Sequence, residues 1–214
     1  MAVDNVEEYL GKKGQKIPAK ALTPLSIKYR PEVDISEELG EDEGSYYHSL
    51  IGVLRWIVKL GRFDICCELS MMSSHLTLQR ERHLEEVLHM FAYLKSHANS
   101  EMVFDPSWVD FDKAFFPKKY RSYSIYAQAV SDSQDELPPD MPTSRGKGMD
   151  MRVYVDSDHA GDTVTHRSRI GFVIFLNGAP IYWNSKKQTS CETSSFGSEL
   201  CAMKQATEYV KSFR

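Results

Sequence analysis

Arg169-Ile170-Gly171-Phe172-Val173-Ile174-Phe175-Leu176-Asn177-Gly178-Ala179-Pro180-Ile181-Tyr182-Trp183-Asn184-Ser185 decides how the last third of the chain folds. Two runs rich in β-branched and aromatic residues flank Asn177-Gly178, a strong two-residue hairpin signal. Upstream, Met151-Arg152-Val153-Tyr154-Val155-Asp156 reads as another short strand. Downstream, the polar run Ser185-Lys186-Lys187-Gln188 leads into a helix predicted over Thr193–Arg214. Phe196, Glu199, Leu200, Met203, Thr207, Val210 and Phe213 recur there at steps of three or four and define its expected packing side. The order is strand, strand, strand, helix.

Working toward the N-terminus, residues 132–150 hold Pro138, Pro139, Pro142, Gly146 and Gly148 among polar residues, the composition of a linker. Before it, residues 46–131 read as a helical subdomain. Tyr47, Leu50, Leu54, Ile57 and Val58 follow the helical period, and Ile65–Leu78 is a second helical segment. Leu84, Val87, Leu88, Phe91, Tyr93 and Leu94 form the apolar face of a third, from about Arg80 to His97. His83, His89 and His97 lack ligand spacing and read as surface histidines of that helix. The aromatics Phe104, Trp108, Phe111, Phe115, Phe116, Tyr120, Tyr123 and Tyr126 belong to a connector expected to pack on the helices. Residues 1–45 read as a mostly irregular arm, with Pro18, Pro24 and Pro31 at short intervals and an acidic run from Ile35 to Gly44. The fold class is therefore mixed α/β (α+β).

The chain has 214 residues, a formal charge of −4, and 42% hydrophobic against 26% charged residues. That composition supports a core and excludes wholesale disorder. No window approaches the roughly 18 apolar residues of a membrane span, and Met1–Glu8 carries acids where a secretory signal needs an apolar run. Cys66, Cys67, Cys191 and Cys201 include no C-x-x-C pair, so a reduced, intracellular protein without a disulfide framework or zinc site is expected. From Arg145 onward there are 10 Lys+Arg and 7 Asp+Glu, leaving 16 and 23 before it. A mildly basic C-terminal part permits phosphate contact without identifying it.

Two acids stand where the pattern expects apolar groups: Asp156 at the tip of the first strand and Glu199 on the final helix. If the helix crosses the strands, the two carboxylates meet at one end of the sheet, where a hard divalent ion compensates them. Two such ions about 4 Å apart activate water and stabilise the leaving oxygen in phosphodiester cleavage. The plainer alternative makes Asp156 a turn cap and Glu199 a helix-start acid favoured by the macrodipole.

Further segments carry a family resemblance. Tyr46-Tyr47-His48-Ser49-Leu50-Ile51-Gly52-Val53-Leu54-Arg55-Trp56, Gly61-Arg62-Phe63-Asp64-Ile65 and Phe91-Ala92-Tyr93-Leu94-Lys95 resemble the block after the reverse-transcriptase palm in copia-type LTR-retrotransposon polyproteins. Tyr154-Val155-Asp156-Ser157-Asp158-His159-Ala160-Gly161-Asp162, Arg167-Ser168-Arg169-Ile170-Gly171-Phe172, Trp183-Asn184-Ser185-Lys186-Lys187-Gln188 and Glu192-Thr193-Ser194-Ser195-Phe196-Gly197-Ser198-Glu199 are similar to the opening of that family's ribonuclease H domain.

The resemblance implies a palm-like end in residues 1–45, a thumb- or connection-like helical subdomain over 46–131, and a truncated ribonuclease H-like domain over 151–214. That domain would comprise three antiparallel strands plus the first helix. Asp156 and Glu199 would be catalytic carboxylates binding magnesium, with manganese as the substitute, in hydrolysis of the RNA strand of an RNA–DNA hybrid. Arg167, Arg169, Lys186 and Lys187 are the candidates for the hybrid's phosphates. Asp158 reads as a turn residue. The Tyr154-to-Asp158 run looks like a polymerase box, but a serine separates its acids, and no polymerisation site is expected. The family's nuclease uses two further aspartates from a later strand and helix, so a fragment with negligible cleavage is the expectation. A non-catalytic nucleic-acid-binding or scaffolding relic is the alternative. The rest of the polyprotein is the implied partner, a homodimer is compatible, no membrane is involved, and a cytoplasmic virus-like particle or the nucleus is the implied location.

Overall fold

The computed structural model describes residues 2–12, 17, 20–107, 140 and 149–213. The connector aromatics from Trp108 to Tyr126, the 131/132 boundary and nearly all of the expected linker lie outside them.

The N-terminal two-fifths is helical. Helices α1 (Ala2–Lys12), α2 (Glu41–Lys59), α3 (Cys66–Met72) and α4 (Glu81–Ser96) enclose one core. Its centre is Tyr47, Leu50, Ile51, Leu54 and Val58 of α2 against Leu69 and Met72 of α3 and Val87, Met90, Phe91 and Leu94 of α4. These positions repeat at three and four residues, so each helix turns one stripe inward. The Tyr47 hydroxyl satisfies itself inside this core by donating to the Met72 carbonyl at 2.9 Å.

The arm departs from the reading of residues 1–45 as mostly irregular. Helix α1 buries Val6 and Leu10, one turn apart, in the same core, and a short 3-10 turn spans Pro31–Val33. Side chains of α4 grip the arm's backbone at two points: Glu86 Oε2 accepts from Ser26 N–H at 2.8 Å, and Ser96 Oγ accepts from Ala21 N–H at 3.3 Å. His83, expected on the surface, is buried. Its Nδ1 accepts from Arg80 N–H and its Nε2 donates to the Pro31 carbonyl at 3.1 Å, so both ring nitrogens are used by the neutral imidazole.

The C-terminal part is a three-stranded antiparallel sheet in the order β1 (Met151–Asp158), β2 (Arg169–Leu176), β3 (Ala179–Lys187), followed by α5 (Ser195–Ser212). Asn177 makes the hairpin with φ 54°, accepting from Asp150 N–H through its side chain and donating to the Pro106 carbonyl. Beside it, a Cβ on Gly178 would stand 2.9 Å from the Asp105 carbonyl oxygen, so the close approach of that segment requires glycine.

Alternation gives the sheet two distinct faces. Val153, Val155, Phe172, Ile174 and Tyr182 face α5, meeting Ala206, Tyr209 and Val210 in a second core. Tyr154, Asp156, Asp158, Arg169, Gly171, Val173, Trp183, Ser185 and Lys187 face the helical block. Helix α5 is turned differently from the sequence expectation. Its sheet-facing residues are Ser198, Ala202 and Ala206, while Phe196, Leu200 and Met203 are 78, 55 and 59% exposed. Small side chains let the helix approach the sheet closely, and that outweighs the periodicity of the large ones.

Candidate functional site

The two halves meet along the face of the sheet that α5 leaves open. Trp183 bridges them: its Nε1 donates to the Val58 carbonyl at 3.1 Å and its ring lies 5.4 Å from that of Phe63. Arg169 donates to Ser70 Oγ at 2.6 Å. Between the halves lies a cleft of about 430 Å³, with Phe63, Cys66 and His75 on one wall and Asp156, Gly171 and Trp183 on the other.

Asp156 lies within β1 rather than at its tip, because the strand runs on to Asp158. Its cross-strand partner is Gly171, beside which there is open space, so the carboxylate is exposed to the cleft. The Asp158 carboxylate folds over Gly161, where an added Cβ would meet Oδ2 at 1.8 Å. The loop after it is organised by Asp162. Although burial opposes ionisation there, the Thr165 N–H at 2.7 Å and the Lys187 ammonium at 2.9 Å hold the carboxyl well below the usual carboxylate range.

The arm completes the rim. Arg30 donates to the Gly161 carbonyl at 2.8 Å, and Glu32 Oε1 accepts from Thr163 N–H at 3.3 Å and Thr163 Oγ1 at 3.0 Å. Near Glu32, His75 has its pKa lowered to about 4 by burial and by the neighbouring His83 and Lys187, so it is neutral at pH 7. Behind the loop, Ser168 is fully buried and its hydroxyl accepts from Ala160 N–H. Gln188 accepts no role in the cleft but ties the sheet to α5, donating to the Ser198 carbonyl at 2.9 Å. Ser194 caps that helix by accepting from Gly197 N–H at 3.1 Å.

The site residues expected from the sequence are thus distributed. Asp156 is on the cleft face. Glu199 is half-buried on α5, which covers the opposite face, and it does not line the cleft. Arg167 is exposed at the cleft, Arg169 and Lys187 are engaged with Ser70 and Asp162, and Lys186 is exposed beside Lys204 in a groove between β3 and α5. Among the described residues no three His, Cys, Asp or Glu side chains gather to hold a metal ion. All four cysteines are free, and among the described residues no helix is long and apolar enough to cross a membrane.

Glu32, His75 and Gln188 escaped the sequence reading of the site. Gln188 stood in a recognised motif but without a role. Glu32 is over a hundred residues from the loop it binds, and nothing local in the sequence marks it.

Comparison with known proteins gives distant relatives. A secreted RxLR effector protein of Plasmopara viticola is 42% identical over 55 residues, 26% of this chain and 39% of that protein. A retrovirus-related Pol polyprotein from transposon RE1 of Arabidopsis thaliana is 24% identical over 153 residues, 72% of this chain and 8% of the polyprotein. A putative transposon Ty5-1 protein of Saccharomyces cerevisiae is 27% identical over 141 residues, 66% of this chain and 33% of that protein. The chain spans less than half the length of each. No protein-family model matches the chain, and no solved structure matches it significantly.

Proposed function

This chain is a relative of retrotransposon Pol polyproteins, and from that premise we propose that residues 151–214 are the opening of a copia-type ribonuclease H domain. The helices before it would be the element's thumb- or connection-like block, and the ligand of the whole an RNA–DNA hybrid. The observation that carries the reading is the order of three antiparallel strands and one helix, with Asp156 on the first strand facing an open cleft.

In this reading Arg167 contacts a phosphate at the cleft, while Lys186, in the groove beside α5, lies outside that contact. Arg169 and Lys187 shape the surface, because their cations already have protein partners. Asp156 and Glu199 descend from the nuclease carboxylates. Two carboxylates alone would hold a divalent ion weakly, so hybrid binding without hydrolysis, the non-catalytic reading, is the form this proposal takes.

A labelled RNA–DNA hybrid titrated with the whole chain at low salt tests this. Binding that weakens steeply with added salt is expected, because phosphate contacts release counterions. Incubation with magnesium or manganese should leave the RNA strand intact. Failure to bind at low salt would refute the hybrid reading, and metal-dependent cleavage lost in Asp156→Asn would refute the non-catalytic one.

A further inference from the structure

Glu32 is a carboxylate in an unusual setting. Its side chain is only 8% exposed, and it comes from the arm to sit at the rim of a cleft formed largely by other elements. One oxygen, Oε1, takes both the main-chain N–H and the hydroxyl of Thr163. The same oxygen lies 3.8 Å from Arg30 Nη1, which itself holds the Gly161 carbonyl. His75 and Lys187 stand close by, and Arg167 is exposed two residues before the strand that leaves this loop.

A main-chain N–H, a hydroxyl and a guanidinium converging on one oxygen make a donor set suited to any oxyanion, phosphate included. The carboxylate present belongs to the chain itself and arrives on a segment held by backbone contacts to α4. The cleft behind it is sized for a small molecule, not for a duplex.

We propose that the 161–167 loop is a nucleic-acid phosphate subsite and that Glu32 occupies it as a built-in competitor. Resting on the hybrid-binding reading above, this assigns a phosphate to Thr163 and Arg30 when the Glu32 side chain swings out of the loop. The backbone of the bound strand then runs along the Asp156 face. Glu32 restrains affinity; Thr163 serves both the strap and the ligand.

The two contributions separate by mutation in the whole chain. Glu32→Ala removes the competitor and leaves the donors. Affinity for a labelled RNA–DNA hybrid should rise about tenfold, and the slope of log K against log salt should steepen by about 0.9, one added phosphate contact. Thr163→Ala in the Glu32→Ala background removes the hydroxyl donor, leaves the main-chain N–H, and should return part of that gain. A strap of purely structural meaning would make Glu32→Ala and Thr163→Ala behave alike. Should Glu32→Ala melt without cooperativity, Glu32→Gln, which keeps the size and one acceptor, carries the same test with a smaller gain. Wild-type binding matched by an unchanged affinity and slope in the variants overturns the subsite and leaves the hybrid reading standing. No binding by any form overturns both.

Discussion

Asp158 and Gly161 occupy space that only one of them can fill. The Asp158 carboxylate lies where a side chain at position 161 would begin, so Gly161→Ala must push the acid off its loop or shift the loop itself. A loss of about 1–3 kcal/mol in denaturant unfolding is expected, and Asp158→Ala in the same chain should recover part of it. His75 acts through its proton. Its folded pKa near 4 lies below the unfolded value of roughly 6.5. The unfolded chain therefore binds more protons between those two values, and the His75 contribution to stability is complete above pH 6.5 and fades as pH falls toward 4. His75→Gln should flatten that part of the melting-temperature profile relative to the wild-type chain. At this scale the sequence told unevenly. Asp156 was visible as an acid in a strand, whereas Asp158, read as a turn residue, closes that strand. The role of Glu32 was not, because a contact spanning 131 positions leaves no local pattern. Nor was the buried state of His83, whose partner is a backbone carbonyl from the arm.

Periodicity told more about the elements. Strands β1 to β3 and their hairpin fall where alternation and Asn177-Gly178 place them, and α2 and α4 begin and end within a few residues of their apolar stripes, save that α2 starts earlier. Helix α5 shows the limit of that argument. Its large apolar residues trace a clean stripe, yet Ser198, Ala202 and Ala206 face the sheet, because closeness of approach decides and hydrophobic pattern alone does not record it. Helix α1 was missed since it buries only Val6 and Leu10 fully, with Val3 and Tyr9 half-buried beside them. Helix α2 carries a glycine inside it without structural need: a Cβ on Gly52 would touch nothing within 4 Å. Gly52→Ala should therefore raise unfolding free energy by roughly 0.5–1 kcal/mol, the helix-propensity difference, in a urea titration. A loss there would mean that this face of α2 is covered.

As a molecule, the chain is two cores, one helical and one of sheet and helix, joined by Trp183, by Arg169 with Ser70, and by the arm with the 161–165 loop. None of these joints was legible in sequence, since each pairs residues from segments that read independently. In the proposed binding of a hybrid, the face of the sheet bearing Asp156, not the α5 side, is the one that meets nucleic acid. Hydrogen–deuterium exchange of the whole chain with and without a saturating RNA–DNA hybrid reads this directly. Slowed exchange in 30–32 or 156–169, with residues 196–203 unchanged, is the expected result. Protection confined to 196–203 would contradict it.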